Sequence, residues 1–223
     1  EHLARNPQGK VPVLDIDGHV LTQSLAIIEY LHETRPGSTV LPADPVIGFL
    51  DDLLEDYADE WLTKPMFHYR WHYAADIDRA GEILPRWRDI TVSDAVMAKM
   101  KAQFSQRQIS RLGVVGSSAV TAPVIEGSYQ RFLAALDAHL HRHPFLMGSR
   151  PGASDFATYG QLTQLTHFDP TPMALTLAQA PRVFAWVDLV DDLSGLDVTE
   201  DGWIRRDAIP DTLRGLLAEV GRT

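Results

Sequence analysis

The spacing of apolar residues changes once along this chain, from short alternating runs to three-to-four-residue periodicity. Val11 to Ile16 is a short apolar run opened by Pro12, and a strand tolerates proline best at its first residue, where no ladder donor is needed. Asp17-Gly18 follows; both central residues of a tight hairpin turn must accept positive φ, so this pair predicts the turn and Val20-Leu21 the returning strand. The polar pair Gln23-Ser24 then precedes Leu25, Ile28 and Leu31, three apart on one face. That pattern predicts a helix beginning at the pair and ending before Pro36-Gly37.

Between His32 and Pro45 the composition turns to Pro, Gly, Ser and Thr, which reads as a connector. Beyond Val46 the period is helical. Phe49, Leu50, Leu53, Leu54, Tyr57, Ala58, Trp61 and Leu62 form an amphipathic stripe, and Asp51, Asp52, Glu55, Asp56, Asp59 and Glu60 fall on its polar side, read as a solvated face. Further periodic segments lie around 92–112, 125–141, 154–167 and 181–193, with a loop-like stretch over 113–123. After Gly195 a tail containing Trp203 and a short helix from Pro210 to about Val220 is predicted to extend past the bundle.

Composition narrows the function classes. The 223 residues, 45% hydrophobic and 22% charged, suffice for one large or two modest domains. The net charge of −10 and the scattered basic residues, with only Arg86-Trp87-Arg88 and Arg205-Arg206 adjacent, argue against a nucleic-acid or anionic-membrane partner. No run reaches the ~18 apolar residues of a membrane span and no leader pattern precedes the first strand, so the expected location is cytoplasmic. Cysteine is absent from the sequence, which excludes disulfides, Cys-ligated zinc and a thiol nucleophile within these residues. Gly-x-Ser-x-Gly, Gly-x-Gly-x-x-Gly and Walker patterns are missing as well, so hydrolase, dehydrogenase and nucleotide-driven readings have no support.

Taken in order, Asn6-Pro7-Gln8-Gly9-Lys10-Val11-Pro12-Val13-Leu14, the Asp17-Gly18 turn and Gln23-Ser24-Leu25-Ala26-Ile27-Ile28-Glu29-Tyr30-Leu31 resemble the C-terminal half of the thioredoxin-like domain of glutathione S-transferases. The resemblance implies a cis peptide bond before Pro12, so that the Val11 backbone pairs with glutathione like an added strand. It further implies that Gln23 and Ser24 hold the γ-glutamyl end and that Lys10 adds charge near the glycyl carboxylate. A helix N-terminus, with free N–H groups and a partial positive charge, suits a carboxylate. On the residues alone, Pro12 is equally an ordinary trans strand opening and Ser24 an N-cap.

A second stretch, Pro144-Phe145-Leu146-Met147-Gly148-Ser149-Arg150-Pro151-Gly152-Ala153-Ser154-Asp155-Phe156, resembles the family's Phe-Leu-x-Gly turn followed by a capped helix. It implies a capping box in which Asp155 reaches back to the cap N–H, with Gly152 standing where a hydroxyl is expected. The fold class expected is α/β plus all-α: a partial thioredoxin-like domain, β-hairpin and helix, over 1–36, a linker over 37–45, a glutathione S-transferase-type helical bundle over 46–196, and an extra tail over 197–223.

The family carries its thiol-activating Tyr, Ser or Cys in a first strand-helix-strand unit, expected upstream of Glu1. The implied function is glutathione transfer to a hydrophobic electrophile, with glutathione as co-substrate, no metal, a homodimer, and no activity for these residues alone. The alternative is a non-catalytic module that uses the same fold for ligand or protein contacts.

The densest aromatic segment is Phe67-His68-Tyr69-Arg70-Trp71-His72-Tyr73. By resemblance its helix walls the electrophile cleft, which makes Trp61, Phe67, Tyr69, Arg70 and Trp71 candidate substrate-pocket residues. Trp61, Phe67 and Trp71 equally suit inter-helix core, and Arg70 a surface ion pair. His68 and His72 share a helical face, as metal ligands must, but no third ligand is evident. His139, His141 and His143 crowd a helix C-terminus, where cations are favoured.

Overall fold

The computed structural model describes residues 11–35, 37 and 39–223. Its backbone falls into two units, Glu1–Leu41 and Pro42–Thr223. In the first, β1 (Val13–Ile16) and β2 (His19–Thr22) pair antiparallel, and α1 (Ser24–Thr34) follows. Asp17 and Gly18 both take positive φ, 51° and 85°, so the turn chemistry is the one the sequence signals.

The second unit is helical: α2 (Pro45–Tyr57), α3 (Thr63–His72), α4 (Ala74–Ile83), α5 (Asp94–Ile109), α6 (Ala122–Leu140), α7 (Ala153–Thr163), α8 (Pro170–Gln179), α9 (Pro181–Asp191) and α10 (Asp211–Val220). Wide π turns at Ala58–Leu62 and Gln164–Phe168 continue α2 and α7. Leu54, Tyr57 and Leu62 meet Tyr129, Phe132, Leu133 and Leu136 of α6, Leu162 and Leu165, and Val183, Trp186 and Val187 of α9 in one core. Of the stripe read from the sequence, Leu54, Tyr57, Ala58 and Leu62 are buried there with Leu50 and Trp61 packed against them, whereas Phe49 faces solvent at 62% exposure.

How the helices begin fixes how they pack. Asp44 caps α2 locally, accepting from Val46 N at 2.9 Å and Ile47 N at 3.3 Å, with Pro45 at the first helical position. The start of α7 is different. Gly152 is its N-cap and has no side chain to offer, and Asp51 of α2 supplies the missing acceptor from across the interface, taking hydrogen bonds from Ala153 N at 3.1 Å, Ser154 N at 3.3 Å and the Ser154 hydroxyl. A Cβ on Gly152 would stand 2.5 Å from the Asp51 carboxylate oxygen. The glycine that departs from the family pattern is therefore the space Asp51 occupies. Asp155 completes the arrangement, accepting from Gly152 N and from Leu146 N, both at 2.9 Å, and tying the Phe145–Gly148 turn to the helix. Asp76 of α4 caps α8 in the same way, accepting from Thr171 N at 2.9 Å and from the Thr171 hydroxyl.

The acidic side of α2 is corrected accordingly. Asp52, Asp56, Asp59 and Glu60 are exposed as a solvated face should be, but Asp51 is 0% and Glu55 7% exposed. Burial raises both, Asp51 to about 6 and Glu55 to about 7, the latter helped by the charges of Asp59 and Asp56.

The tail is corrected as well. Rather than extending past the bundle, it is stitched into it: Ile204 N donates to Met147 O at 2.7 Å, Leu213 and Leu216 are buried, and Arg131 of α6 pairs with Glu219 of α10 at 2.6 Å. His139 lies in this seam instead of acting as a cation at the end of α6. Its Nδ1 is 3.0 Å from Thr212 Oγ1 and its Nε2 3.2 Å from Phe145 O. Burial lowers it to about 4.

Two outcomes test this packing. Gly152→Ser, although serine is the better cap in isolation, should destabilise the protein, whereas in an Asp51→Ala background, itself costing about 2 kcal/mol, it should restore stability. Urea unfolding of the two single variants and the double variant measures the sign reversal; additive effects would contradict the shared cap. Because the native pKa of His139 is depressed, this imidazole holds less of a proton in the folded protein than in the unfolded chain between pH 4 and about 6.5. This contribution is therefore lost as pH falls through that window, with a limiting slope of about 1.4 kcal/mol per pH unit. The stability difference between wild type and His139→Gln should shrink correspondingly on acidification.

Candidate functional site

The open end of the hairpin gathers the residues of the first motif. Val13 is registered opposite Thr22, so Val11-Pro12 and Gln23-Ser24 continue neighbouring strands outward at the same end. The Val11–Pro12 peptide bond is cis, as the resemblance implies. Val11 is 78% exposed, and Pro12, Gln23 and Ser24 are exposed too. Lys10 lies outside the described residues.

Gln23, not Ser24, is the N-cap of α1, and it sits at φ 84°, ψ 128° with no side-chain cap hydrogen bond. Positive φ in a non-glycine residue costs of order 1–3 kcal/mol, and such residues cluster at ligand clamps. Ser24 is then the first helical residue. The first-turn amides of α1 have no intrahelical acceptor, and the two polar side chains beside them face solvent. Chemically this end offers extended backbone, N–H donors, a partial positive charge, a hydroxyl and an amide to an extended anionic ligand.

The aromatic segment is placed differently from the pocket expected of it. Tyr69 and Trp71 are core residues, each 2% exposed, with Tyr69 edge-on to Tyr129 and Trp71 to Phe104. Arg70 is buried against Asp169, donating from Nε at 2.9 Å and from Nη2 at 2.9 Å, with a further bond to Gln164 Oε1 at 2.8 Å and Phe168 under the guanidinium. Burial holds the Asp169 carboxyl up at about 6 despite Arg70. The Nε and Nη2 groups of Arg70 are thus engaged by protein groups. Trp61 and Phe67 remain half-buried; Trp61 Nε1 donates to Ser128 Oγ at 3.0 Å, and Phe67 packs near Trp71. The five candidates therefore do not share one cleft.

His68 belongs to a network that the sequence does not announce. Its Nδ1 is 2.8 Å from Ser117 Oγ and its Nε2 3.0 Å from Glu126 Oε1, which also accepts from Tyr73 Oη at 2.6 Å. Burial raises the Glu126 carboxyl, but the bonds from Tyr73 and His68 outweigh it and hold it below its ordinary value. Burial lowers His68. An ionised Glu126 only accepts, so His68 carries its proton on Nε2 and Nδ1 accepts from Ser117. Ser117, His68 and Glu126 stand in the order of a nucleophile, base and acid, but Ser117 is buried and His68 is 0% exposed. The network joins α3, α6 and the turn before α6. His72 stacks on His68 with centroids 4.6 Å apart. Among the described residues no group of three or more His, Cys, Asp or Glu is placed to hold a metal ion, and no helix is long and apolar enough to cross a membrane.

Known proteins resemble this chain in sequence and in fold. Residues 1–33 match the family model of the glutathione S-transferase N-terminal domain, and residues 101–189 that of the C-terminal domain. Maleylacetoacetate isomerase of Rhizobium meliloti (strain 1021) is 78% identical over 46 residues, 21% of this chain and 22% of that protein. The Mus musculus maleylacetoacetate isomerase is 49% identical over 53 residues, 22% of this chain and 24% of that protein; in both cases the chain spans less than a quarter of the relative. Among solved structures, the beta-etherase LigF from Sphingobium sp. strain SYK-6 superposes over 99% of this chain and 82% of its own, with 17% identity and a TM-score of 0.57. A glutathione S-transferase from Rhodospirillum rubrum F11 superposes over 92% and 79%, with 21% identity and a TM-score of 0.52. At these identities the two structures speak for the fold.

Arg70 supplies the test of this site description. Arg70→Gln strands a buried carboxylate and should cost about 3–5 kcal/mol of stability in urea unfolding, with Arg70→Leu/Asp169→Leu recovering much of the loss. A wild-type unfolding midpoint for Arg70→Gln would return this arginine to the list of ligand-binding candidates.

Proposed function

The chain belongs to the glutathione S-transferase superfamily, and we propose that Val11, Pro12, Gln23 and Ser24, with Lys10, hold glutathione for a glutathione-dependent reaction of the whole protein. The observation that carries this reading is the end of the hairpin. There an N-cap glutamine at φ 84° and an exposed serine stand at an open helix N-terminus, just past the strand that pairs with the one entered from exposed Val11. The γ-glutamyl carboxylate would sit against the first-turn amides of α1 and the Ser24 hydroxyl. The cysteinyl backbone would pair with Val11 as an added strand. The glycyl carboxylate would lie toward Lys10.

In this reading the chemistry is attack of the glutathione thiolate on a hydrophobic electrophile, forming a sulfur–carbon bond while the leaving group departs with the electron pair. A second reading is favoured by the 78% identity to a protein named maleylacetoacetate isomerase: the whole protein uses glutathione for an isomerisation. The two differ in stoichiometry. Conjugation consumes one thiol per turnover and isomerisation returns it, so titration of free thiol during turnover of maleylacetoacetate separates them. A non-catalytic ligand-binding role is the third outcome, recognised by glutathione binding without turnover.

Calorimetric titration with reduced glutathione tests the site itself. Ser24→Ala should weaken binding about tenfold, the loss of one charge-assisted hydrogen bond, at an unchanged melting temperature. Equal affinity of wild type and variant would overturn the assignment.

A further inference from the structure

α4 closes in a 3-10 turn, Leu84–Trp87, and this turn and α5 flank an open pocket of about 230 Å3 that takes no part in the glutathione reading. Leu84, Pro85 and Arg88 line one wall. Met100, Phe104 and Arg107 line the other, at spacings of four and three that put them on one face of α5. The floor is fixed: Phe104 rests edge-on against the buried Trp71, with centroids 5.7 Å apart, and Pro85 is itself buried.

The rim is charged and uncompensated. Arg88 and Arg107 are exposed, and among the described residues neither guanidinium has a carboxylate within ion-pair distance. The larger cavity beside the tail, about 730 Å3, is the contrast, because there Arg205 is bound by Asp207 at 2.7 Å and Arg206 lies 3.8 Å from Asp44. The surroundings strengthen the difference. Residues 86–111 carry six Lys or Arg against two carboxylates, in a chain whose net charge is −10; Arg86 and Lys101 of these pair with Glu82 and Asp78 of α4.

Two guanidinium forks over an apolar floor select a ligand by chemistry. Arginine stays charged at any physiological pH, is weakly hydrated, and matches a carboxylate in a planar bidentate geometry. The apolar walls favour a ligand with a hydrophobic body over an inorganic anion. The volume is below the roughly 300–1,000 Å3 typical of drug-sized ligands, which limits that body to about one ring or a short chain. We propose that this pocket binds a small amphiphilic monocarboxylate, an aromatic or short aliphatic acid. Its body lies against Leu84, Met100 and Phe104, and its carboxylate lies between Arg88 and Arg107, with the Gln103 amide as a further donor on the same wall.

Isothermal titration of the full chain with phenylacetate, hexanoate, phenylacetamide and inorganic phosphate tests this. One of the two acids should saturate the protein with a dissociation constant at or below about 1 mM. The neutral amide and phosphate should each bind at least about tenfold more weakly, and Arg88→Gln and Arg107→Gln should each weaken the acid about tenfold. Both arginines are exposed, so these variants should keep the wild-type melting temperature. Failure of both acids to saturate, equal binding of acid and amide, equal binding of acid and phosphate, or acid binding unchanged in both variants would each overturn the proposal.

Discussion

The helical unit depends on aspartates buried where other helices begin. Removing a carboxylate from water costs several kcal/mol, and a helix N-terminus is one of the few protein environments that returns much of it, through free N–H donors and the aligned peptide dipoles. Asp51 on α7 and Asp76 on α8 are both held this way by chain nearly a hundred residues distant or more. Asp155 does the same at its own helix and reaches the preceding turn. Burial nevertheless prevails over the N–H donors at Asp51 and Asp155, whose carboxyls are raised to about 6 and about 8. Such contacts work best in one arrangement. Hydrophobic packing of α2 on α7 would tolerate a slide; an aspartate that must meet two specific amides does not.

This explains which features could be read from the sequence. The hairpin was legible because its determinants are local: a proline at the strand opening, two residues able to take positive φ, and a polar pair before an apolar period. The capping role of Asp155 was legible for the same reason, since its partner N–H is three residues away. Asp51 was not, because helical periodicity sorts residues by polarity and assigns a polar one to solvent. The buried exception depends on a partner 102 residues along the chain. The packing of the tail is illegible on similar grounds, since a short amphipathic helix after a polar stretch carries no mark of the surface it will cover.

The candidate glutathione site and the His68 network illustrate the same division. Val11, Pro12, Gln23 and Ser24 converge through strand register, which follows from a two-residue turn. Ser117 and Glu126 reach His68 across 49 and 58 residues, and no spacing rule connects them. The aromatic segment lies between these cases. Its composition was visible, but whether an aromatic ring faces a cleft or a core is decided by neighbouring helices. The fates of Tyr69 and Trp71 were set by α6 and α5.

Gly152 and Asp51 also constrain how this sequence can change. A hydroxyl-bearing cap at 152 and an aspartate at 51 are two solutions to one problem, and they exclude each other in space because the Cβ of one would occupy the carboxylate of the other. Every single-substitution route between them passes through a clash or through a helix with an unsatisfied start. Two positions on different elements therefore change together, and a lineage that has adopted the cross-helix solution can leave it only through an intermediate less stable than either end.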